Sequence, residues 1–387
     1  MSNNKIGIVG AGTMGTGIAQ TAASAGFEVF LFDPYPEQLL IAESSLQKVM
    51  NRLSEKGKID SSEADSVITR IHFTDHIKDF KKCGFVIEAI IEDLNTKKDQ
   101  FARIEAMVPS HCILATNTSS LSIASISSAL KKPERFLGVH FFNPAAVMKL
   151  VEVIPGLLTH PDTVRSARAL IHSWGKTTVL AKDTPGFIVN RVARPFYGEA
   201  LRILDEGIAD VITIDRAMKE TGGFRMGPFE LMDLIGNDIN YTVTETIFRE
   251  FYYDPRYRPS FTQKRLVEAG RLGRKSGAGF YTYDAKAATD APVEPAGKET
   301  LIFNRILCML INEAADALFM NIASADDIDL AMTLGVNYPK GLLQWADELG
   351  PSRILKQLEQ LQSEYGEDRY RPSPLLRKMA ELNSTFF

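Results

Sequence analysis

A chain of 387 residues, 45% hydrophobic and 24% charged, is too long for one core and has the composition of an ordinary globular protein of two or three domains. A formal net charge of −4 offers no surplus of cations to neutralise phosphates, which excludes general nucleic-acid binding, and no apolar run approaches the roughly 20 residues that cross a bilayer. Cys83, Cys112 and Cys308 are far apart and form no metal-type cluster, and MSNN leads straight into a strand pattern without a signal-peptide layout, so a cytoplasmic protein is expected.

The first strand pattern, KIGIVG (5–10), runs into a glycine-rich turn that opens a helix over 15–25. FEVFLF (27–32) is a second strand, followed by a helix over 36–53. The strands FVIEAI (85–90), CILATN (112–117), RFLGVHFF (135–142), KLVEVI (149–154) and TTVLA (177–181) then appear, with helical stretches at 95–107 and 161–174. Several of these strands are almost continuously apolar, as happens when helices cover both faces of a parallel sheet. The alternation predicts a Rossmann-type, doubly wound α/β domain over 1–185.

After Pro185-Gly186 the pattern turns helical, which predicts an all-α domain over 186–284. The Ala- and Pro-rich stretch 285–298 reads as a linker, and 299–387 is helical again. The last part repeats the middle one. An offset of 114 residues lays Asn190-Arg191 on Asn304-Arg305, Glu199 on Glu313, Asp215 on Asp329, Gly227 on Gly341, Asp233 on Asp347 and Gly236 on Gly350. Two copies of one helical unit are expected to cover each other's apolar faces.

Gly10-Ala11-Gly12-Thr13-Met14-Gly15 stands between the first strand and its helix. Gly10 and Gly12 permit a tight turn and close approach to a pyrophosphate, and Gly15 permits close packing of helix on strand. Asp33, 18 residues after Gly15, ends the second strand, where a carboxylate accepts hydrogen bonds from ribose hydroxyls and repels a 2′-phosphate. NAD is therefore expected rather than NADP.

Ser119 follows the strand CILA, His140 lies near the end of GVHFF, and Glu152 lies in the next strand, LVEV. A buried carboxylate needs a partner, and two adjacent strands would bring Glu152 against the His140 imidazole. Asn190 belongs to the segment DTPGFIVNR (183–191) at the junction with the helical part.

In order and spacing, GxGxxG, Asp33, EAIIEDLNTKK (88–98), NTSSL (117–121), GVHFFNP, MKLVEV, DTPGFIVNR and MGPFELMD (226–233) resemble the 3-hydroxyacyl-coenzyme A dehydrogenase family over residues 5 to about 284. The tandem helical part resembles members with a duplicated C-terminal domain, including the dehydrogenase part of multifunctional fatty-acid oxidation proteins. The resemblance implies NAD-dependent oxidation of a short 3-hydroxyacyl-coenzyme A in fatty-acid or related metabolism. It implies His140 as base, Glu152 as its orienting carboxylate, and Ser119 and Asn190 as contacts to the reacting oxygen. It also implies that Thr13, Met14, Glu92, Lys97, Asn117 and Asn143 join the glycines and Asp33 along the cofactor. A serine and a lysine that touch coenzyme A in the family fall by pattern at Ser45 and Arg52, where a solvated helix face is the competing reading. The chain is expected to be either a monomer holding an internal pseudo-dimer or a homodimer. A dehydrogenase of free hydroxy or sugar acids and a relative without turnover are the alternatives that the same residues leave open.

Overall fold

The computed structural model describes residues 4–283 and 297–387; the expected linker 285–298 lies outside the described residues except for its last two positions. The chain divides into two compact units between Thr184 and Pro185.

The first unit is built on eight strands: β1 Lys5–Val9, β2 Glu28–Phe32, β3 Ile71–Thr74, β4 Phe85–Glu88, β5 Ile113–Thr116, β6 Phe136–Phe141, β7 Leu150–Pro155 and β8 Thr177–Leu180. Their spatial order is β3-β2-β1-β4-β5-β6-β7-β8. The chain therefore leaves β1 toward β2 on one side and returns to β4 on the other. Ligand crevices of open α/β sheets form at such a reversal, outside the carboxyl ends of the strands. Strands β4, β5 and β6 are buried along their whole length, which is why they read as almost continuous apolar runs, broken only by Glu88, Thr116 and His140 near their carboxyl ends.

Two features depart from the sequence reading. β3 went unrecognised, because four mixed residues at a sheet edge carry no periodic signal. The sheet is also not uniformly parallel: β7 runs antiparallel to β6, and β8 parallel to β7. The β6–β7 connection is short, and a short connection can join only antiparallel neighbours.

The second unit is helical among its described residues. The helix Arg194–Asp205 packs on the long, mostly buried helix Glu299–Phe319. Polar pairs tie the long helix reciprocally to the segment 189–205, which includes the short helix Val189–Val192. Arg191 Nε donates to Glu313 Oε1 at 2.7 Å, and Arg305 Nε donates to Glu199 Oε1 at 2.9 Å. Tyr257 donates to Glu313, and Tyr370 donates to Glu199 at 2.6 Å. Burial opposes charge on Glu313, yet Arg256 and Arg191 hold its carboxyl below the usual range. Local geometry recurs as well. Asp215 accepts from Phe229 N and Glu230 N, and Asp329 from Leu343 N and Gln344 N, all at 2.9 Å.

Candidate active site

The glycine turn leaves β1 at the reversal point. Gly10 has φ +100°, a conformation that side chains rarely adopt, and a Cβ there would meet Ala89 O at 2.6 Å. A Cβ on Gly15 would sit 1.8 Å from Gly10 O, so only glycine lets the helix Thr13–Ser24 start against the turn. At Gly12 a Cβ would meet nothing within 4 Å: this glycine faces open space rather than protein. The helix begins with no side-chain cap and no acid in its first turn, so its positive end and amide donors are kept for an anion. Thr13 is exposed and Met14 half-buried on that first turn. Asp33, 8% exposed, accepts from Ala11 N at 2.9 Å through Oδ2 and from Tyr35 N at 3.1 Å through Oδ1. The carboxylate expected to read the ribose thus also ties β2 to the glycine turn. These residues fit a dinucleotide without a 2′-phosphate.

Beyond β4 lies a polar network that the sequence reading did not assemble. Glu88, wholly buried, accepts from Lys97 Nζ at 2.6 Å, Thr116 Oγ1 at 2.7 Å and Ile90 N at 2.7 Å. Lys97, 1% exposed, also lies 3.3 Å from Glu92 Oε2. The other oxygen of Glu92 accepts from Thr118 Oγ1, from the amide and hydroxyl of Ser119 and from those of Ser120. The surroundings penalise charge on Glu92, but Lys97 and these hydrogen bonds hold its carboxyl below the ordinary range. Glu92 therefore shapes the loop that presents Ser119, and Lys97 is spent on Glu88 and Glu92. A signal was available: a glutamate closing an apolar strand, as Glu88 does, needs a buried cation.

At the carboxyl end of β6 the antiparallel register sets His140 directly opposite Glu152. His140 Nδ1 lies 2.6 Å from Glu152 Oε2, with His140 6% and Glu152 0% exposed. The Phe142 ring sits 4.6 Å from the imidazole. Asn117, at the end of β5, accepts from Phe141 N at 2.8 Å, which fixes the β6 backbone one residue beyond His140. Asn143 is exposed in the loop between β6 and β7. Lys176 pins that loop, donating to Ala145 O at 2.6 Å and Met148 O at 2.7 Å, and burial brings its pKa down to about 8.

Ser45 and Arg52 are exposed on the helix Pro36–Glu55. Asn190 is half-buried on the short helix Val189–Val192 of the other unit, and its part in the chemistry rests on the motif match alone.

Comparison with known proteins shows the family. The family model described as 3-hydroxyacyl-CoA dehydrogenase, NAD binding domain, matches residues 5–184, and the corresponding C-terminal domain model matches 186–283 and 301–385. The chain is 39% identical to the 3-hydroxyadipyl-CoA dehydrogenase of Escherichia coli (strain K12), with 98% of each covered. It is 42% identical to the probable 3-hydroxybutyryl-CoA dehydrogenase of Bacillus subtilis (strain 168), over 74% of this chain and 100% of that relative. The crystal structure of 3-hydroxybutyryl-CoA dehydrogenase from Escherichia coli K12 superposes with a TM-score of 0.93 at 38% identity, covering 99% of both chains.

Proposed function

The chain belongs to the 3-hydroxyacyl-CoA dehydrogenase family, and from that premise we propose that it interconverts 3-hydroxyacyl- and 3-ketoacyl-CoA thioesters with NAD. The observation that carries the proposal is the buried His140–Glu152 pair at 2.6 Å, with His140 near the carboxyl end of β6 and the glycine turn at the carboxyl end of β1 in the same sheet. NAD, when bound, supplies the hydride acceptor at its nicotinamide ring. Gly10, Gly12, Gly15, Asp33 and the uncapped helix start would hold its adenosine and pyrophosphate.

Oxidation of a secondary alcohol needs the hydroxyl proton removed as the carbon loses hydride, and imidazole is the side chain best matched to that transfer near neutral pH. With Glu152 at Nδ1, the proton of the neutral ring is held on that nitrogen, and Nε2 receives the substrate proton. The carboxylate then stabilises the imidazolium that forms. Ser119, its amide fixed by Glu92, turns its hydroxyl from Glu92 Oε1 to donate to the substrate oxygen as charge shifts there, and Asn190 is assigned the same task.

Acyl-CoA is the substrate class, and no helix among the described residues is long and apolar enough to cross a membrane. We read residues 186–283 and 301–385 as two copies of one domain, supported by the reciprocal Arg191–Glu313 and Arg305–Glu199 pairs. A self-complementary surface satisfied inside one chain favours a monomer, which sedimentation equilibrium tests. Cys83, Cys112 and Cys308 are buried free thiols, in keeping with a reducing compartment such as the cytoplasm. The direct assay follows NADH oxidation with acetoacetyl-CoA against free acetoacetate. Turnover of the thioester is expected; turnover of the free acid alone would overturn the reading.

A further inference from the structure

Asp183 comes just after β8, yet its carboxylate is spent on residues that follow β5. Its Oδ2 accepts from Ala124 N at 2.8 Å and Ser122 Oγ at 3.1 Å, and its Oδ1 accepts from Ile123 N at 3.0 Å. These donors stand at the start of the short helix Ile123–Ser127, which follows the loop that carries Ser119. β6 and β7 lie between β5 and β8 in the sheet, so the bonds span the two strands that hold His140 and Glu152. All of these residues belong to the first unit.

Helix formation does not demand such a reach. Ser122, itself exposed, already caps the helix locally, accepting from Ser125 N at 3.2 Å, and helix starts are ordinarily served by such a cap and by water. What the distant carboxylate adds is a fixed position. Ile123, wholly buried, is wedged against two glycines: a Cβ on Gly138 would lie 2.7 Å from its Cδ1, and one on Gly156 would lie 3.1 Å from its Cγ2. Gly138 stands two residues before His140 in β6. The helix start is thereby seated on the strand of the base and held there by Asp183. Glu92 anchors residues 118–120 of the same loop, but the Ser119 hydroxyl must leave Glu92 to reach a substrate. The anchor at Asp183 is untouched by that turn.

We propose that Asp183 is a positioning residue for the redox step: it sets Ser119 relative to His140 so that both side chains can act on one substrate oxygen. This rests on the functional reading above, in which Ser119 donates to that oxygen. Acting through a donor that matters as charge shifts, Asp183 governs kcat rather than KM.

The test measures kcat and KM for acetoacetyl-CoA with NADH in wild type, Asp183→Asn, Ser119→Ala and the double variant. Asparagine keeps the shape but turns an NH2 toward one of the two helix amides. Loss of a donor to the reacting oxygen slows catalysis by about 10²–10³-fold, which sets the scale for Ser119→Ala. Asp183→Asn is expected to lower kcat about tenfold or more and to leave KM within about twofold of wild type. The double variant should be within about twofold of Ser119→Ala, because placement of a hydroxyl no longer matters once the hydroxyl is gone. A carboxylate that only supports the fold would behave otherwise, lowering the active fraction by the same factor in both backgrounds. Equal factors in the two backgrounds therefore overturn the proposal, as does a kcat for Asp183→Asn within about twofold of wild type. Ser122→Ala removes one bond to the same carboxylate and carries the same comparison, with a smaller fall, if Asp183→Asn folds poorly. A wild-type kcat in Ser119→Ala would instead sink the functional role of Ser119, and that single variant tells the two failures apart.

Discussion

Replacing Glu152 by Gln tests the pairing at the heart of the site while leaving its shape in place. Glutamine matches the glutamate in volume, so a side chain with 0% exposure is exchanged without a cavity. What is lost is charge. A hydrogen bond to a charged group is worth about 1.5–3 kcal/mol, and at 1.36 kcal/mol per decade its loss slows the step by about 10- to 150-fold. A second loss compounds it. The amide can turn its NH2 toward His140 Nδ1, 2.6 Å from the native carboxylate oxygen, which makes Nδ1 an acceptor and puts the ring proton on Nε2. The nitrogen that must receive the substrate proton is then already occupied, and the combined fall in kcat is about 10²–10⁴-fold. Steady-state oxidation of NADH with acetoacetyl-CoA reads kcat, fluorescence titration reads NADH affinity, and a thermal melt checks the fold. NADH affinity and melting temperature should stay close to wild type. A kcat within about threefold of wild type would refute the claim that Glu152 sets the tautomer and stabilises the imidazolium.

Gly12→Ala and Gly15→Ala should separate binding from folding. The first meets no protein atom, so it should lower NADH affinity with the melting temperature intact, whereas the second drives a Cβ to 1.8 Å from Gly10 O and should lower both; the reverse pattern would sink the turn assignment. Lys97→Met strands the buried Glu88 carboxylate and should cost about 3–5 kcal/mol in chemical denaturation, as well as loosening the Ser119 loop. Arg191→Met leaves Glu313 with Arg256 and Tyr257, so it should cost less, about 1.5–3 kcal/mol, the worth of one charged hydrogen bond, and the double variant Arg191→Met/Glu313→Leu should differ from the sum of the single ones; simple additivity would mean the pair is not coupled. Burial pushes the Asp215 carboxyl up to about 7 from an ordinary 3.8. The native state keeps a proton that the unfolded chain has lost between those values, so stability from this group falls as pH rises through the window. Denaturation midpoints from pH 4 to 7 should show a shallower decline in Asp215→Asn, and an identical slope would refute the assignment.

The sequence by itself determined what depends on local order. Continuous apolar runs marked the strands of a sheet covered on both faces, and the glycine spacing marked the nucleotide turn. His140 and Glu152 were legible because a carboxylate in an apolar strand requires a partner. The tertiary structure decided everything that depends on which neighbours meet. It turned β7 and β8 against the other strands and set the register that puts Glu152 opposite His140. It closed the Glu88–Lys97–Glu92 network under Ser119. The physical reason is that propensity and periodicity act over a few residues, while desolvation depends on three-dimensional surroundings that bring distant parts of the chain together. Whether Lys97 is spent inside the protein can be read only once the chain has closed around it.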